Sequence, residues 1–163
     1  MLKHVLVPLD GSALSEKALD FAQRMLAPGS KLTLLATLEG GASFPAPGQD
    51  AAGRSAEEQA KLYLEHEAKN LKLKGFEADT VVGKGDPAAL IVDRALRLGV
   101  EAIVMATQER SDLGRLLFGS VTRAVLNDTP CPVVIVPNRE QQRVEDEALT
   151  TDADLGFDTL APE

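Results

Sequence analysis

Short apolar runs that alternate with helix-like segments constrain the fold of this 163-residue chain more than any other feature. Each run is almost continuously apolar, which is typical of strands buried on both faces of a sheet. The runs lie at residues 3–9, 31–38, 76–82, 101–105 and 132–136. The segments between them carry apolar residues at helical spacing. This alternation predicts an α/β fold, a doubly wound five-stranded parallel sheet with helices on both faces.

Residues suited to helix ends support this alternation. Ser12 or Ser15 fits the N-cap of the first helix, and Asp86, followed by proline, fits that of the third. Gly99 fits the end of the third helix, because glycine readily adopts the left-handed conformation that closes many helices. Residues 40–54 have no apolar period and are rich in Gly, Pro and Ala, which predicts a surface loop.

The net charge of −8 is concentrated at the C-terminus. Residues 139–163 hold eight acidic and two basic side chains, so the rest of the chain is nearly neutral. Low apolar content predicts that this acidic tail is disordered and that residues 1–138 form the domain. The tail either only improves solubility or docks on a protein partner through Leu155, Phe157 and Leu160. The acidic balance argues against binding to nucleic acid.

Composition also bears on the cellular compartment. No apolar run approaches the ~20 residues of a membrane span, which argues against membrane insertion. The N-terminus enters a predicted strand without the long apolar region of a signal peptide. Cys131 is the only cysteine, which excludes an internal disulfide and agrees with a reducing environment. Together these features predict a cytoplasmic protein.

The segment from Ala106 to Ser120 carries the clearest functional signal. It ends in Gly119-Ser120, which opens an amphipathic helix. The start of a helix presents unpaired backbone N–H groups and the positive end of the helix dipole, and both favour an anion such as phosphate. An ordinary helix start explains the same residues. The segment also holds Glu109, at a place where a phosphate-binding loop favours glycine.

Four segments of the chain, at residues 5–12, 85–87, 119–121 and 129–136, form a distinctive ordered set. In these segments and in their order, the chain resembles the universal stress protein family, and the resemblance covers residues 2–137. The resemblance implies a flavodoxin-like or Rossmann-like fold in which the first and fourth strands flank the switch point. It also implies a stress-response role and a homodimer that pairs the last strands of two subunits, here from Pro132 to Val136.

Members of the family that bind ATP carry Gly, two residues, Gly, nine residues, then Gly-Ser or Gly-Thr. This chain keeps the spacing but has Ala106 and Glu109 in place of the first two glycines. Gly119 and Ser120 match the end of the motif. The resemblance implies that these two residues and Val121 meet the phosphates.

The resemblance also assigns residues to the nucleoside. It places Pro8 against the base, Asp10 at the adenine or ribose side, and Thr37 beside the adenine. Asp10 has a second interpretation, in which its side chain only caps the turn after the first strand.

The two glycine replacements differ in their expected effect on nucleotide binding. A methyl group at Ala106 is mild unless that backbone needs a positive φ or touches the ligand. Glu109 repels a polyphosphate unless its side chain turns to solvent. At ~4–6 Å and an effective dielectric of about 20, one unit-charge pair costs about 3–4 kcal/mol, or more than about a hundredfold in affinity. ATP and AMP are therefore both candidate ligands, with AMP less penalised and a divalent metal expected only together with nucleotide.

The sequence contains no evident arrangement for efficient catalysis. It lacks a Walker-type lysine after the glycines, a general base and a nucleophile paired with histidine. Its two histidines, His4 and His66, lack the spacing and cysteine partners of a metal site. The sequence therefore predicts a regulatory module that acts by binding. A structural or partner-docking dimer without nucleotide and a slow ATPase are the alternatives.

Overall fold

The computed structural model describes residues 1–39, 44–45, 53–107 and 118–137. Strands and helices alternate along these residues. The strands are β1 (His4–Leu9), β2 (Lys31–Thr37), β3 (Glu77–Gly83), β4 (Ala102–Thr107) and β5 (Val133–Pro137). The helices are α1 (Ala13–Met25), α2 (Ala56–Leu73), α3 (Pro87–Leu98) and α4 (Ser120–Asp128). None of these described helices is both long and apolar enough to cross a membrane.

The strands form one parallel sheet in the order β3-β2-β1-β4-β5. β1 lies between β2 and β4, and its Leu6 stands opposite Thr33 on one side and Ile103 on the other. The predicted doubly wound sheet is confirmed, and so is the position of the first and fourth strands at the switch point. Of the two common orders of such sheets, this is the Rossmann-type order.

The sheet separates two apolar layers, because successive side chains of a strand point to opposite faces. Val5 and Val7 of β1 pack in the layer of α1 and α2, whereas Leu6 packs in the layer of α3 and α4. β4 divides in the same way, with Val104 in the first layer and Met105 in the second. Helices therefore cover both faces, as predicted.

Helix ends follow the capping residues of the sequence. Ser12, rather than Ser15, is the N-cap of α1, and its Oγ accepts a hydrogen bond from the Ser15 N–H at 3.1 Å. Asp86 caps α3 by accepting from the Ala89 N–H at 2.8 Å. Gly99 closes α3 with a left-handed φ of 59°. The predicted ends of α3 are therefore confirmed.

The fourth strand is longer than predicted. The sequence pattern ends it at Met105, but β4 continues through Ala106 and Thr107. These two residues pair with Val136 and Pro137 of β5. A ladder between distant segments thus extends the strand, and Ala106 belongs to the sheet rather than to the turn after it.

Two predicted segments fall wholly or largely outside the described residues. Within the predicted loop at 40–54, Phe44 is only 3% exposed, and its ring lies 5.6 Å from that of Tyr63. The Tyr63 hydroxyl donates to Glu16 Oε1 at 3.0 Å and joins α2 to α1. The acidic tail at 139–163 lies outside the described residues, so its disorder and the domain boundary stay predictions.

Acidic side chains come together where α1 meets α2. Burial raises the pKa of the Glu67 carboxyl, and repulsion from Glu16 and Asp20 adds to the rise. Attraction by His66 and Lys74 opposes the rise without offsetting it. The folded state therefore binds this proton more tightly than the unfolded state. Glu67 stabilises the fold below its ordinary pKa, and this stabilisation is lost as pH rises through the raised value.

Replacing Glu67 by Gln is expected to raise the melting temperature near neutral pH and to change it little near pH ~4, because Gln cannot ionise. Thermal unfolding followed by circular dichroism at both pH values measures the effect. Glu65→Gln is the matched control, because it removes the same charge from an exposed position of α2. Equal shifts for both variants at neutral pH would contradict this account.

Candidate functional site

A cleft of about 640 Å³ opens at the carboxyl ends of β1, β2 and β4. Open α/β sheets bind ligands in crevices at this point. Glu109 lies outside the described residues, but every other residue expected from the sequence to bind a nucleotide lines the cleft. These are Pro8, Asp10, Thr37, Ala106, Gly119, Ser120 and Val121. The structure brings the set together, and its role in binding a nucleotide stays a prediction.

Asp10 holds the turn that follows β1. Its Oδ1 accepts hydrogen bonds from the Ser12 N–H at 2.9 Å and from the Ser12 hydroxyl at 2.6 Å. Burial would raise the pKa of the Asp10 carboxyl, but hydrogen bonds from Ser12 and Ser15 outweigh burial and lower it. The carboxyl is therefore ionised at neutral pH. Both interpretations of Asp10 fit this geometry, because the capping bonds use Oδ1.

Three helices begin at the cleft and differ in how their first turns are capped. Ser12 caps α1 and Asp86 caps α3, each through a side-chain oxygen. α4 begins at Gly119, which has no side chain, and its first intrahelical bond runs from the Arg123 N–H to Gly119 O at 3.0 Å. The earlier N–H groups of α4 have no partner within the helix. They form the positive end of its dipole at the cleft wall.

Thr107, the last residue of β4, brings a buried hydroxyl to the same cleft. It is 2% exposed, and its Oγ1 has no hydrogen-bond partner among the described residues. Buried polar side chains nearly always have a partner, and an unpaired one costs about 1–3 kcal/mol. Thr107 therefore offers this cleft an unused hydrogen-bonding group.

The backbone shows what the altered glycine motif needs for folding. No described residue other than glycine has a positive φ, so Ala106 lies in β4 without strain. Its side chain packs against the layer of α1 and α2. Gly119 has a φ of −59°, and a methyl group added there would meet no atom within 4 Å. Neither position needs glycine for folding, and the space beside Gly119 is open.

The described cleft contains little positive charge. Asp10 and Glu39 line it, whereas no Lys or Arg among the described residues does so. The segment 108–117, outside the described part, holds two acidic and two basic residues and adds no net charge. In the described part of the chain, no group of three or more His, Cys, Asp or Glu side chains is placed to hold a metal ion. The groups available to an anion here are amides and hydroxyls.

Sequence reasoning missed several lining residues, among them Ser15, Glu39, Pro87, Thr107 and Thr122. Ser15 and Pro87 carried a signal, because helix starts that follow parallel strands meet at one edge of the sheet. Thr107 and Glu39 carried a weaker signal, because each is the first polar residue after a predicted strand.

The strand order and the cleft define a Rossmann-type α/β protein with a ligand crevice at its switch point. A family model described as the universal stress protein family matches residues 1–137. The chain therefore belongs to the universal stress protein family, as the resemblance in its sequence predicted.

Individual relatives support this assignment. The universal stress protein YxiE of Bacillus subtilis is 30% identical over 147 residues, covering 83% of this chain and 99% of that protein. The solved structure of MJ0577, a universal stress protein of Methanocaldococcus jannaschii, is similar with a TM-score of 0.68 and 26% identity. That similarity covers 86% of this chain and 99% of the other.

Two more distant structures share the fold and contain nucleotides. One is a universal stress protein in complex with cAMP, with a TM-score of 0.59 and 23% identity over 83% of this chain and 97% of that one. The other is an Arabidopsis thaliana family member with AMP bound, with a TM-score of 0.62 and 15% identity. That similarity covers 90% of this chain and 98% of the other. At these identities the similarity shows the fold alone.

Gly119→Ala is expected to leave the free energy of unfolding within about 1 kcal/mol, because the backbone angle suits alanine and the methyl group meets no protein atom. For the nucleotide site expected from the sequence, the variant should bind AMP about tenfold more weakly, because the added methyl group would occupy open space beside a residue that lines the cleft. Gly99→Ala is the control and should show the reverse. It strains a left-handed residue at a cost of about 1–2 kcal/mol and lies away from the cleft. Chemical unfolding and calorimetric titration measure both quantities, and unchanged AMP affinity in Gly119→Ala would argue against a ligand there.

Proposed function

We propose that the cleft binds an adenine nucleotide and that the protein acts in the stress response through binding rather than turnover. The observation that carries the proposal is the meeting of the first turn of α4 with Pro8, Asp10 and Thr37 around one cleft. The relatives solved with AMP and with cAMP support it, because each ligand joins one phosphate group to an adenosine.

The lining offers groups that suit both the phosphate and the base of such a ligand. At the start of α4, the amides of Ser120 and Val121 and the helix dipole favour a phosphate. Elsewhere Leu35, Ile91 and Met105 give the lining an apolar part suited to a base. The ionised Asp10 carboxylate is an acceptor for ribose hydroxyls.

The described lining does not favour hydrolysis. Its carboxylates are Asp10 and Glu39, and the lowered pKa of Asp10 makes it a weak base. We expect any divalent ion to enter only together with the nucleotide. Binding without turnover is the function that this arrangement favours.

Calorimetric titration with AMP and ATP tests the proposal. AMP is expected to bind, and ATP is expected to bind more weakly, because the described cleft offers no cation to a polyphosphate. Phosphate release from ATP should not exceed the rate in buffer. Adenosine is the control for the contribution of the phosphate. Failure of all three ligands to bind would favour the structural dimer, and rapid phosphate release would favour the ATPase.

The proposal includes the expectation for Glu109, which rests on sequence alone. Glu109→Gly is expected to strengthen ATP binding tenfold or more, because it removes a negative charge from the glycine motif. AMP serves as an internal control, since its smaller charge should make its affinity change less. Equal ATP affinity in the wild type and the variant would show that this carboxylate does not face the polyphosphate.

We also propose a homodimer that pairs the β5 strands of two subunits. All five residues of β5 are partly exposed, and four of them are Val or Ile. β5 lies at one edge of the sheet, and such an apolar edge is a template for pairing with another strand. The opposite edge strand, β3, carries Glu77 and Asp79, and Asp79 pairs with Lys31. The charged side chains of β3 therefore oppose pairing at that edge, and β5 is the edge at which we expect two subunits to pair.

Ile135→Lys is expected to convert the dimer to a monomer, because a charged side chain on an edge strand opposes pairing. Light scattering coupled to size exclusion measures the mass. Leu73→Lys, a matched change at a residue that is 79% exposed on α2, should leave the dimer intact. A monomeric wild type would remove this part of the proposal. Contact of the acidic tail with a protein partner remains a proposal from sequence, because residues 139–163 lie outside the described part.

A further inference from the structure

The hydroxyl of Thr107 is the feature of the cleft that the proposed function leaves unexplained. Three other threonines of the described chain are useful comparisons. Thr33, 1% exposed, has its Oγ1 2.9 Å from His4 Nε2, and the Thr129 hydroxyl donates to the Cys131 carbonyl at 2.7 Å. Thr122 is also buried, yet only the Thr107 hydroxyl is a fully buried threonine oxygen without a described partner.

The position of Thr107 on β4 fixes the direction of its side chain. Ile103 and Met105 belong to the layer of α3 and α4, and Thr107 is the next residue with the same alternation. Its hydroxyl therefore lies on the face of the sheet that α4 covers. Thr107 is the last residue of β4 and follows the apolar part of the strand. Thr107 and the first residues of α4 line the same cleft.

We infer that the Thr107 hydroxyl is a phosphate-binding group and that, with the free amides at the start of α4, it forms a seat for a single phosphate. The inference rests on the proposed function and deepens it by adding the side chain of a residue that lies between the first two positions of the glycine motif, Ala106 and Glu109. The hydroxyl donates to a phosphate oxygen, and the bound ligand thereby satisfies a group that the described protein leaves unpaired. No covalent bond is made or broken, because the proposed role of the hydroxyl is to bind the phosphate.

A phosphate oxygen fits this position better than a water molecule alone would. A hydrogen bond to a charged acceptor is stronger than one to a neutral acceptor. With Asp10 and Glu39 as the charged groups of the described lining, each neutral donor contributes a large share of the attraction for phosphate. Loss of the Thr107 hydroxyl should therefore affect ligands that carry phosphate and spare those that do not.

Thr107→Val is the main test, because it replaces the hydroxyl by a methyl group of similar size. It is expected to weaken AMP binding about tenfold or more and to leave adenosine binding unchanged, both measured by calorimetry. Thr107→Ser keeps the hydroxyl and should bind AMP nearly as the wild type does. Thr33→Val is the matched control, a buried strand threonine outside the cleft lining, and should leave AMP binding unchanged.

The melting temperature of the unliganded variants supplies an independent readout. Thr107→Val should melt no lower than the wild type, because it removes an unpaired buried hydroxyl, whereas Thr33→Val should melt lower. The inference is overturned if Thr107→Val lowers the melting temperature as much as Thr33→Val, or if it weakens adenosine and AMP equally. It is also overturned if AMP affinity is unchanged while the wild type binds AMP, an outcome that leaves the proposed function intact. If the wild type binds neither AMP nor adenosine, both proposals fail together.

Discussion

The cleft exists because β1 is hydrogen-bonded to β2 on one side and to β4 on the other. From β1 the chain enters α1 on one face of the sheet, whereas α4, which follows β4, lies on the opposite face. The connections therefore diverge above two neighbouring strands and leave a crevice between them. The turn at Asp10 and the first residues of α4 both line that crevice.

Burial makes this arrangement rigid. Val5, Leu6 and Val7 in β1 and Ile103 and Val104 in β4 have no exposed surface. Each such side chain contributes about 1.5–3 kcal/mol when removed from water, so burial strongly stabilises the two strands beneath the cleft. The character of β4 then changes along its length, from apolar residues in the core to a hydroxyl at the cleft. The strand thereby sets both the position of the site and its transition from apolar to polar lining.

Much of this fold could be predicted from the sequence because its determinants are local. The alternation of apolar runs with helical periods, the Asp86 cap and Gly99 each depend on neighbouring residues. The extension of β4 could not be predicted, because it depends on pairing with β5 some thirty residues further along the chain, Thr107 opposite Pro137. For the same reason the unpaired Thr107 hydroxyl has no sequence signature. The choice of Ser12 over Ser15 also needed the structure, since both residues satisfy the capping pattern.

The capping of the three helices at the cleft explains why an anion would settle at one of them. α1 and α3 already present an oxygen to their first turns, from Ser12 and from Asp86, and Asp86 also places a carboxylate there. An incoming phosphate would compete with these groups, and at α3 it would meet a charge of its own sign. At α4 the glycine N-cap offers no side-chain oxygen, so among the described residues no capping oxygen meets the first amides or compensates the dipole. Under the proposed function, selection among the helix ends follows from which caps the protein has filled, and the absence of a side chain at Gly119 is the feature that would favour a phosphate.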